Sequence, residues 1–167
     1  MNDEKSKVQI YVTNFVIAEN FQDGSFQEQG EGEEFTAAFW DGVPVDTFYH
    51  QHIRVPELRG KLEYQYKLHL GKMNIRTLHY HLTSRPEDKF WYRANIDFRL
   101  DSISSTRVNS PDSMWQDAQW HDYIVQTRVD HGSTYGSYFN VRIEYDGSNN
   151  GVGENDSWGR RVLLAPR

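Results

Sequence analysis

Histidines supply the first hint of chemistry in this chain. Two His-x-His pairs occur, His50/His52 in "YHQHIRV" and His79/His81 in "LHYHLTS". Residues two apart on a β-strand point the same way, so each pair would set two imidazoles on one face, where they can chelate one ion. A catalytic metal needs at least three protein ligands, however, and neither pair carries a third ligand beside it. The competing reading makes His79 and His81 polar members of the wet face of a strand. Solvent-facing or hydrogen-bonded histidines are therefore expected, and a metal at His50, His52, His79 and His81 is the outside alternative.

Other arrangements for chemistry are scarcer. A Glu follows each pair, Glu57 and Glu87, an order similar to that of the metal-binding cupin barrels. The glycine spacing differs from theirs, and no later His completes a second cupin motif. There is no nucleophile elbow, no phosphate-cradling glycine loop and no metalloprotease helix. The absence of cysteine removes thiolate metal sites, disulfides and a cysteine nucleophile. Carboxylates are numerous, but whether two meet in a cleft as in glycosidases is not written in a sequence. The expectation is a non-catalytic protein with no cofactor.

The elements that would carry these residues are strands. "KLEYQYKLHL" alternates Leu62, Tyr64, Tyr66, Leu68 and Leu70 against Lys61, Glu63, Gln65, Lys67 and His69. "TLHYHL" sets Leu78, Tyr80 and Leu82 inward, with Thr77, His79 and His81 outward. "YRANIDFRL" sets Tyr92, Ala94, Ile96, Phe98 and Leu100 against Arg93, Asn95, Asp97 and Arg99. One oily and one wet face per strand is the mark of antiparallel sheets. "VQIYVTNFVI" begins the same way and slips phase near Asn14, "DYIVQTRV" offers Tyr123, Val125 and Val129, and "SYFNVRIEY" offers Phe139, Val141, Ile143 and Tyr145. "RRVLL" reads as a short final strand. Turn residues punctuate them at Gly71, "SRPED", "NSPDS" and "DHGSTYGS". No long helical period occurs; "DSMWQDAQWHDYI" has room for one or two helical turns. The pattern predicts an all-β fold, an antiparallel β-sandwich of about eight strands with little helix.

Bulk properties agree. A chain of 167 residues suits one domain. We expect a single sandwich over 1–167, decorated at 22–60 and ending in a loop-rich tail at 146–167. Net charge is -6 and the basic residues are scattered, which argues against nucleic acid as partner. The one charge run is acidic, "EQGEGEE", and reads as a solvated loop. No apolar run reaches the roughly 20 residues of a membrane span, so no membrane insertion is expected. The polar start "MNDEKSKVQI" lacks the apolar centre of a leader, which favours an intracellular, cytoplasmic location. Aromatic residues make up 14%, including ten Tyr and five Trp.

The order and wording of these strands resemble a MATH (meprin and TRAF homology) domain, a TRAF-like β-sandwich. "IYVTNF" (10–15) is similar to that family's opening strand. "KLEYQYKLHL" and the hairpin "LHYHLTSRPEDKFWYRANIDFRLDS" resemble its middle strands, "QWHDYIV" its Trp-led segment and "YFNVRIEY" its closing strand. The resemblance covers mainly 62–145; the interval 15–62 and the tail after Tyr145 are surplus to it. It implies a peptide-binding adaptor, in which an extended peptide lies along a sheet. By position, the implied partner-binding residues are His79, Ile96, Trp120 and Tyr123, with Trp115 close by. The alternation sets Ile96 among core residues, so packing competes with a binding role there, and plain solvation competes at His79. Trp120 has polar neighbours on both sides and no local apolar face to join. No heptad run is present, so no coiled-coil trimer is expected.

A carbohydrate-binding sandwich is the alternative, with exposed rings among Trp40, Trp91, Trp115, Trp120 and Trp158 stacking on sugars. The loop "DGSNNGVGENDSW" has oxygen ligands at Asp146, Asn149, Glu154, Asn155 and Asp156 but lacks the regular spacing of a calcium loop.

Overall fold

The computed structural model describes residues 36–85, 91–146, 154–155 and 160–166. The first strand expected from sequence (8–17) and the acidic run lie outside the described residues. Eleven strands and one 3₁₀ turn are present among those described. They build two antiparallel sheets packed face to face, the expected sandwich.

The first sheet runs β1 (Asp46–Gln51), β2 (Arg59–His69), β3 (Lys72–Leu82), and then two short strands that share the far edge of β3. One is β7 (Trp120–Asp122), opposite 79–81; the other is β8 (Gln126–Asp130), opposite 72–76. The second sheet has β4 (Trp91–Asp101) beside β9 (Ser137–Tyr145) at its centre. Here β5 (Ser105–Asn109) and β6 (Met114–Gln116) divide the free edge of β4, while β10 (Glu154–Asn155) and β11 (Arg160–Ala165) divide that of β9. Thus β1, part of the stretch expected to be a decoration, is an integral strand.

Alternation places the core as expected in β4 and β9. Ala94, Ile96, Phe98 and Leu100 are buried opposite Phe139, Val141, Ile143 and Tyr145, and all meet the inner residues of the first sheet. Aromatic rings stitch the two layers together: Tyr64 lies 4.7 Å from Phe139 and Phe98 lies 6.4 Å from Tyr123, while Phe98 and Phe139 meet at 5.5 Å within the second sheet. Polar groups that enter this space are paired. The Tyr123 hydroxyl donates to the Ile96 carbonyl at 3.1 Å, and Ser110 Oγ accepts the Ile96 N–H at 2.8 Å.

Three local expectations are corrected. First, "TLHYHL" does not alternate throughout. Leu62 pairs with Tyr80 but Tyr64 pairs with Thr77, so Leu78 and His79 together face Glu63 in a β-bulge. Thr77 consequently turns inward and is fully buried, while Leu78 is only half-buried. Second, the inner row of β2 ends before its tip, since Leu68 and Leu70 are exposed. Leu70 and Gly71 form a two-residue turn with φ of 49° and 72°. Third, "DSMWQDAQWHDYI" holds no helix. It forms β6 and β7, joined through Ala118 at φ 58°.

The 3₁₀ turn, Ala37–Trp40, roofs half of the outer face of the first sheet. Trp40 Nε1 donates to Gln126 Oε1 at 2.8 Å, and the Arg76 guanidinium stacks 5.2 Å from the Trp40 ring. Lys67 Nζ donates to the Phe39 carbonyl and sits 4.3 Å from the Phe39 ring, and Gln65 Nε2 donates to the Val43 carbonyl at 2.8 Å. Polar residues that alternation assigns to water are thus covered here and bonded to the turn, though Gln126 Nε2 stays buried without a partner among the described residues.

Because Ile96 is fully enclosed, Ile96→Ala should lower stability by about 2–5 kcal/mol, the range for a truncated core aliphatic residue. Urea unfolding checks this, and a loss below about 1 kcal/mol would be the wrong size for a core position.

Candidate functional site

Beyond the roof, the outer face of the first sheet is open. Strand register aligns one side chain from each of four strands across it: Tyr49 pairs with Lys61, Lys61 with His81, and His81 with Trp120. Adjacent strands lie about 4.8 Å apart, so the row spans about 14 Å. Its two ends are exposed aromatic rings, Tyr49 at 57% and Trp120 at 48%. Trp120 leans over His81, with ring centroids 5.3 Å apart, and Lys61 Nζ reaches both rings, 6.0 Å from Tyr49 and 5.9 Å from Trp120. These distances fall within the range of cation–π attraction, which preorganises the rings around the ammonium.

The neighbouring row is ionic. His79 Nδ1 lies 3.1 Å from Glu63 Oε1 and its Nε2 lies 3.3 Å from Asp122 Oδ1. The bulge brings His79 and Glu63 together. Both ring nitrogens of His79 thus already face a carboxylate oxygen.

At the β7 edge a second ring group adjoins the row. His121 stacks between Tyr80, at 5.3 Å, and Trp115, at 6.4 Å, and its Nε2 meets both Asp117 oxygens at 2.9 Å. The Trp115 N–H donates to the Tyr80 hydroxyl at 2.9 Å. Burial pushes the Tyr80 phenol above its usual range; the Trp115 hydrogen bond opposes that and the Asp117 charge adds to it. The phenol therefore stays protonated across ordinary pH.

Of the residues implied by the MATH resemblance, Trp115, on β6 of the second sheet, stacks on His121 at the other side of β7, while the structure brings Trp120 and His79 to this face. Ile96 and Tyr123 are withdrawn from it: Ile96 is fully buried and Tyr123 is 5% exposed with its hydroxyl tied to Ile96. Both are packing residues, because their side chains point between the sheets. Tyr49 and Lys61, not singled out from sequence, complete the row. The only signal for them was alternation in "TFYHQ" and "KLEYQ", which marks an outward position without saying what lies across the strand.

Nor do the two histidine pairs meet. His79 and His81 lie on the outer face, whereas His50 turns inward to Tyr145, with Nδ1 2.8 Å from its hydroxyl. His52 Nδ1 accepts the N–H groups of Arg54 and Val55, which caps the turn after β1. Among the described residues no group of three or more His, Asp or Glu side chains is placed to hold a metal. Glu87, Asn149 and Asp156 lie outside the described residues, and Asp146 uses its N–H to bond Gln116 Oε1 at 2.6 Å. Of the tryptophans named for sugar stacking, Trp40 is buried beneath its own roof, Trp115 and Trp120 are exposed, and Trp158 is outside the described residues.

Comparison with protein-family models, curated proteins and solved structures finds no match. No helix among the described residues is long and apolar enough to cross a membrane.

The opposite face of the sandwich is built differently. Asp97 is nearly buried on the outer side of β4, 3.7 Å from Arg107 and 3.8 Å from Arg142. Burial raises its carboxyl above the ordinary range, outweighing the lowering by the two guanidinium groups. A raised carboxyl binds its proton more tightly in the folded than in the unfolded state. Its contribution to stability therefore falls as pH rises from about 4, the unfolded value, through the higher folded value. Between pH 4 and 7 the protein should lose stability relative to Asp97→Asn, as read from melting temperatures across that range; a gain relative to the variant would reverse the sign of the shift.

Proposed function

We propose that this protein is a non-catalytic interaction module that docks an extended peptide across the open half of the first sheet. The observation that carries this reading is the Tyr49–Lys61–His81–Trp120 row, two exposed rings held around a cation on a rigid four-strand platform. Large aromatic residues are the usual anchors of protein interfaces because they bury much area at little entropic cost. The ionic row beside them, Glu63, His79 and Asp122, supplies acceptors and donors that would fix a peptide's orientation. The resemblance to MATH domains, which act as peptide-binding adaptors, supports the same reading, as does the sandwich architecture.

A strand platform suits this task better than a loop, since its side chains keep their spacing when a partner arrives. Trp120 and Tyr49 sit at the two ends of the row and would grip separate residues of the peptide. Lys61 and His81 between them favour a peptide with an acidic or hydroxylated side chain at its middle.

Affinity purification from native lysate, with the wild-type chain and variants as bait, tests the assignment. Trp120→Ala should remove at least 90% of specifically captured peptide-bearing partner, about the tenfold loss expected for one anchor of roughly 1.4 kcal/mol or more. Its melting temperature should change little, because the ring is half exposed. Tyr123→Ala should instead unfold readily, losing about 3–5 kcal/mol as a buried aromatic residue. Undiminished capture by a folded Trp120→Ala, Tyr49→Ala double variant would place the partner elsewhere.

A further inference from the structure

At one end of the sandwich, away from the Tyr49–Trp120 row, three chain segments line an open pocket. The turn after β4 meets the β8–β9 connection, and β11 closes the side. Gly132 is the point of closest approach: a Cβ there would lie 2.4 Å from Ile103 Cγ1 and 3.0 Å from the Tyr135 ring. The Gly132 N–H donates to Ser102 Oγ at 3.0 Å, and the Ser102 hydroxyl donates to the Gly136 carbonyl. Gly132 and Gly136 also bridge to each other, so the connection is held shut by backbone bonds. The pocket, half open to solvent, measures about 400 Å³ and is lined by Asp101, Ser102, Thr134, Tyr135, Tyr138 and Arg161. Small-molecule sites run from about 300 to 1,000 Å³, so this one suits a single small ring.

The lining sorts into spent and available groups. Asp101 is spent: its Oδ2 accepts from Arg99 at 2.8 Å and Asn140 at 2.7 Å, and its Oδ1 accepts the Ser105 hydroxyl. Arg99 offsets its charge. Arg161 is available. Its guanidinium lies over the Tyr138 ring, 3.6 Å from the centroid, and among the described residues no carboxylate pairs with it. Stacking fixes the plane of that group while leaving its edge N–H donors to meet a carboxylate in two-point fashion. Tyr135 adds an exposed ring face, and Thr134, Tyr135 and Tyr138 contribute hydroxyls.

We infer that this cavity binds an acidic sugar, a uronate unit, with its carboxylate on Arg161, its ring against Tyr135 and its hydroxyls bonded to Thr134 and Tyr138. A bare anion would use Arg161 and leave the aromatic face idle. A neutral sugar would use the ring and hydroxyls and leave the guanidinium without a counter-charge. A ligand that joins a carboxylate to a polyhydroxyl ring engages every available group. The site is independent of the peptide platform, and the two assignments stand or fall separately.

Titration of the isotope-labelled full chain with glucuronate, glucose and inorganic phosphate, followed through backbone amide resonances, tests the inference. Glucuronate should shift Ser102, Thr134, Tyr135, Tyr138 and Arg161 saturably, with glucose and phosphate at least about tenfold weaker, a difference of roughly 1.4 kcal/mol. Arg161→Lys keeps the charge but not the planar fork, and it should weaken glucuronate by a similar factor. Tyr135→Ala should do the same, and both variants should keep the wild-type melting temperature. A glucuronate-ended tetrasaccharide that binds more tightly than the monosaccharide assigns the source to a glycan; equal affinity assigns it to the free acid. Phosphate or glucose binding as tightly as glucuronate overturns the acidic-sugar assignment. So does the absence of a saturable shift at these amides, or full retention of binding by both variants.

Discussion

Between the Leu62–Tyr80 and Tyr64–Thr77 pairs, β3 carries one residue more than β2, and much of the molecule is organised by that insertion. Side chains in a sheet alternate strictly, so one extra residue exchanges the faces of everything beyond it. Here it keeps Met73 and Ile75 in the core while His79 and His81 remain outside. It also turns Thr77 inward, where its N–H donates to the Val125 carbonyl and its hydroxyl oxygen accepts the Val125 N–H. That double bond bridges the gap between β7 and β8, so the edge of β3 stays paired although no single strand runs its whole length. Trp120 reaches the outer face because β7 is pinned on one side of this bridge.

The roof and the open row follow from the same sheet in different ways. Over its far half, Gln65, Lys67, Arg76 and Gln126 face outward and meet residues 39–43. Covering them removes polar surface from water, a cost offset by these hydrogen bonds and ring contacts, although Gln126 Nε2 is buried without a partner among the described residues. Over the near half, the side chains satisfy one another instead. Lys61 lies between rings and His79 lies between carboxylates. Such a face holds its side chains through contacts of its own, and on the proposed reading this lowers the entropy cost of binding.

How much of this was legible in the sequence depended on range. The faces of β4 and β9 could be read directly, because strict alternation of Ile96, Phe98 and Leu100, or of Val141, Ile143 and Tyr145, is a local property. The bulge could not, since "RTLHY" alternates plausibly in either phase and only pairing with β2 decides between them. The roof depends on Trp40 meeting Gln126, 86 residues away, and no window of sequence contains both. For the same reason Trp120 stood out as a tryptophan with no apolar neighbours, while Tyr49 and Lys61 did not. Their significance lies in what faces them across neighbouring strands. The short strands β6 and β7 left room for a helical turn or two in the sequence because three residues are too few to show a period.

The tip of the β2–β3 hairpin has a kinetic consequence. Two-residue hairpin turns favour Asn-Gly because both positions take positive φ, yet here the first is Leu70, at φ 49° and 85% exposed. A leucine in that region costs about 1–2 kcal/mol relative to its preferred conformations. Closing the loop on its own therefore carries a penalty, which disfavours zipping of this hairpin from its bend. The penalty shifts the advantage to contacts nearer the middle, where Leu62, Tyr64, Ile75 and Tyr80 pack against the opposite layer, so assembly of the first sheet leans on long-range contact more than on its turn.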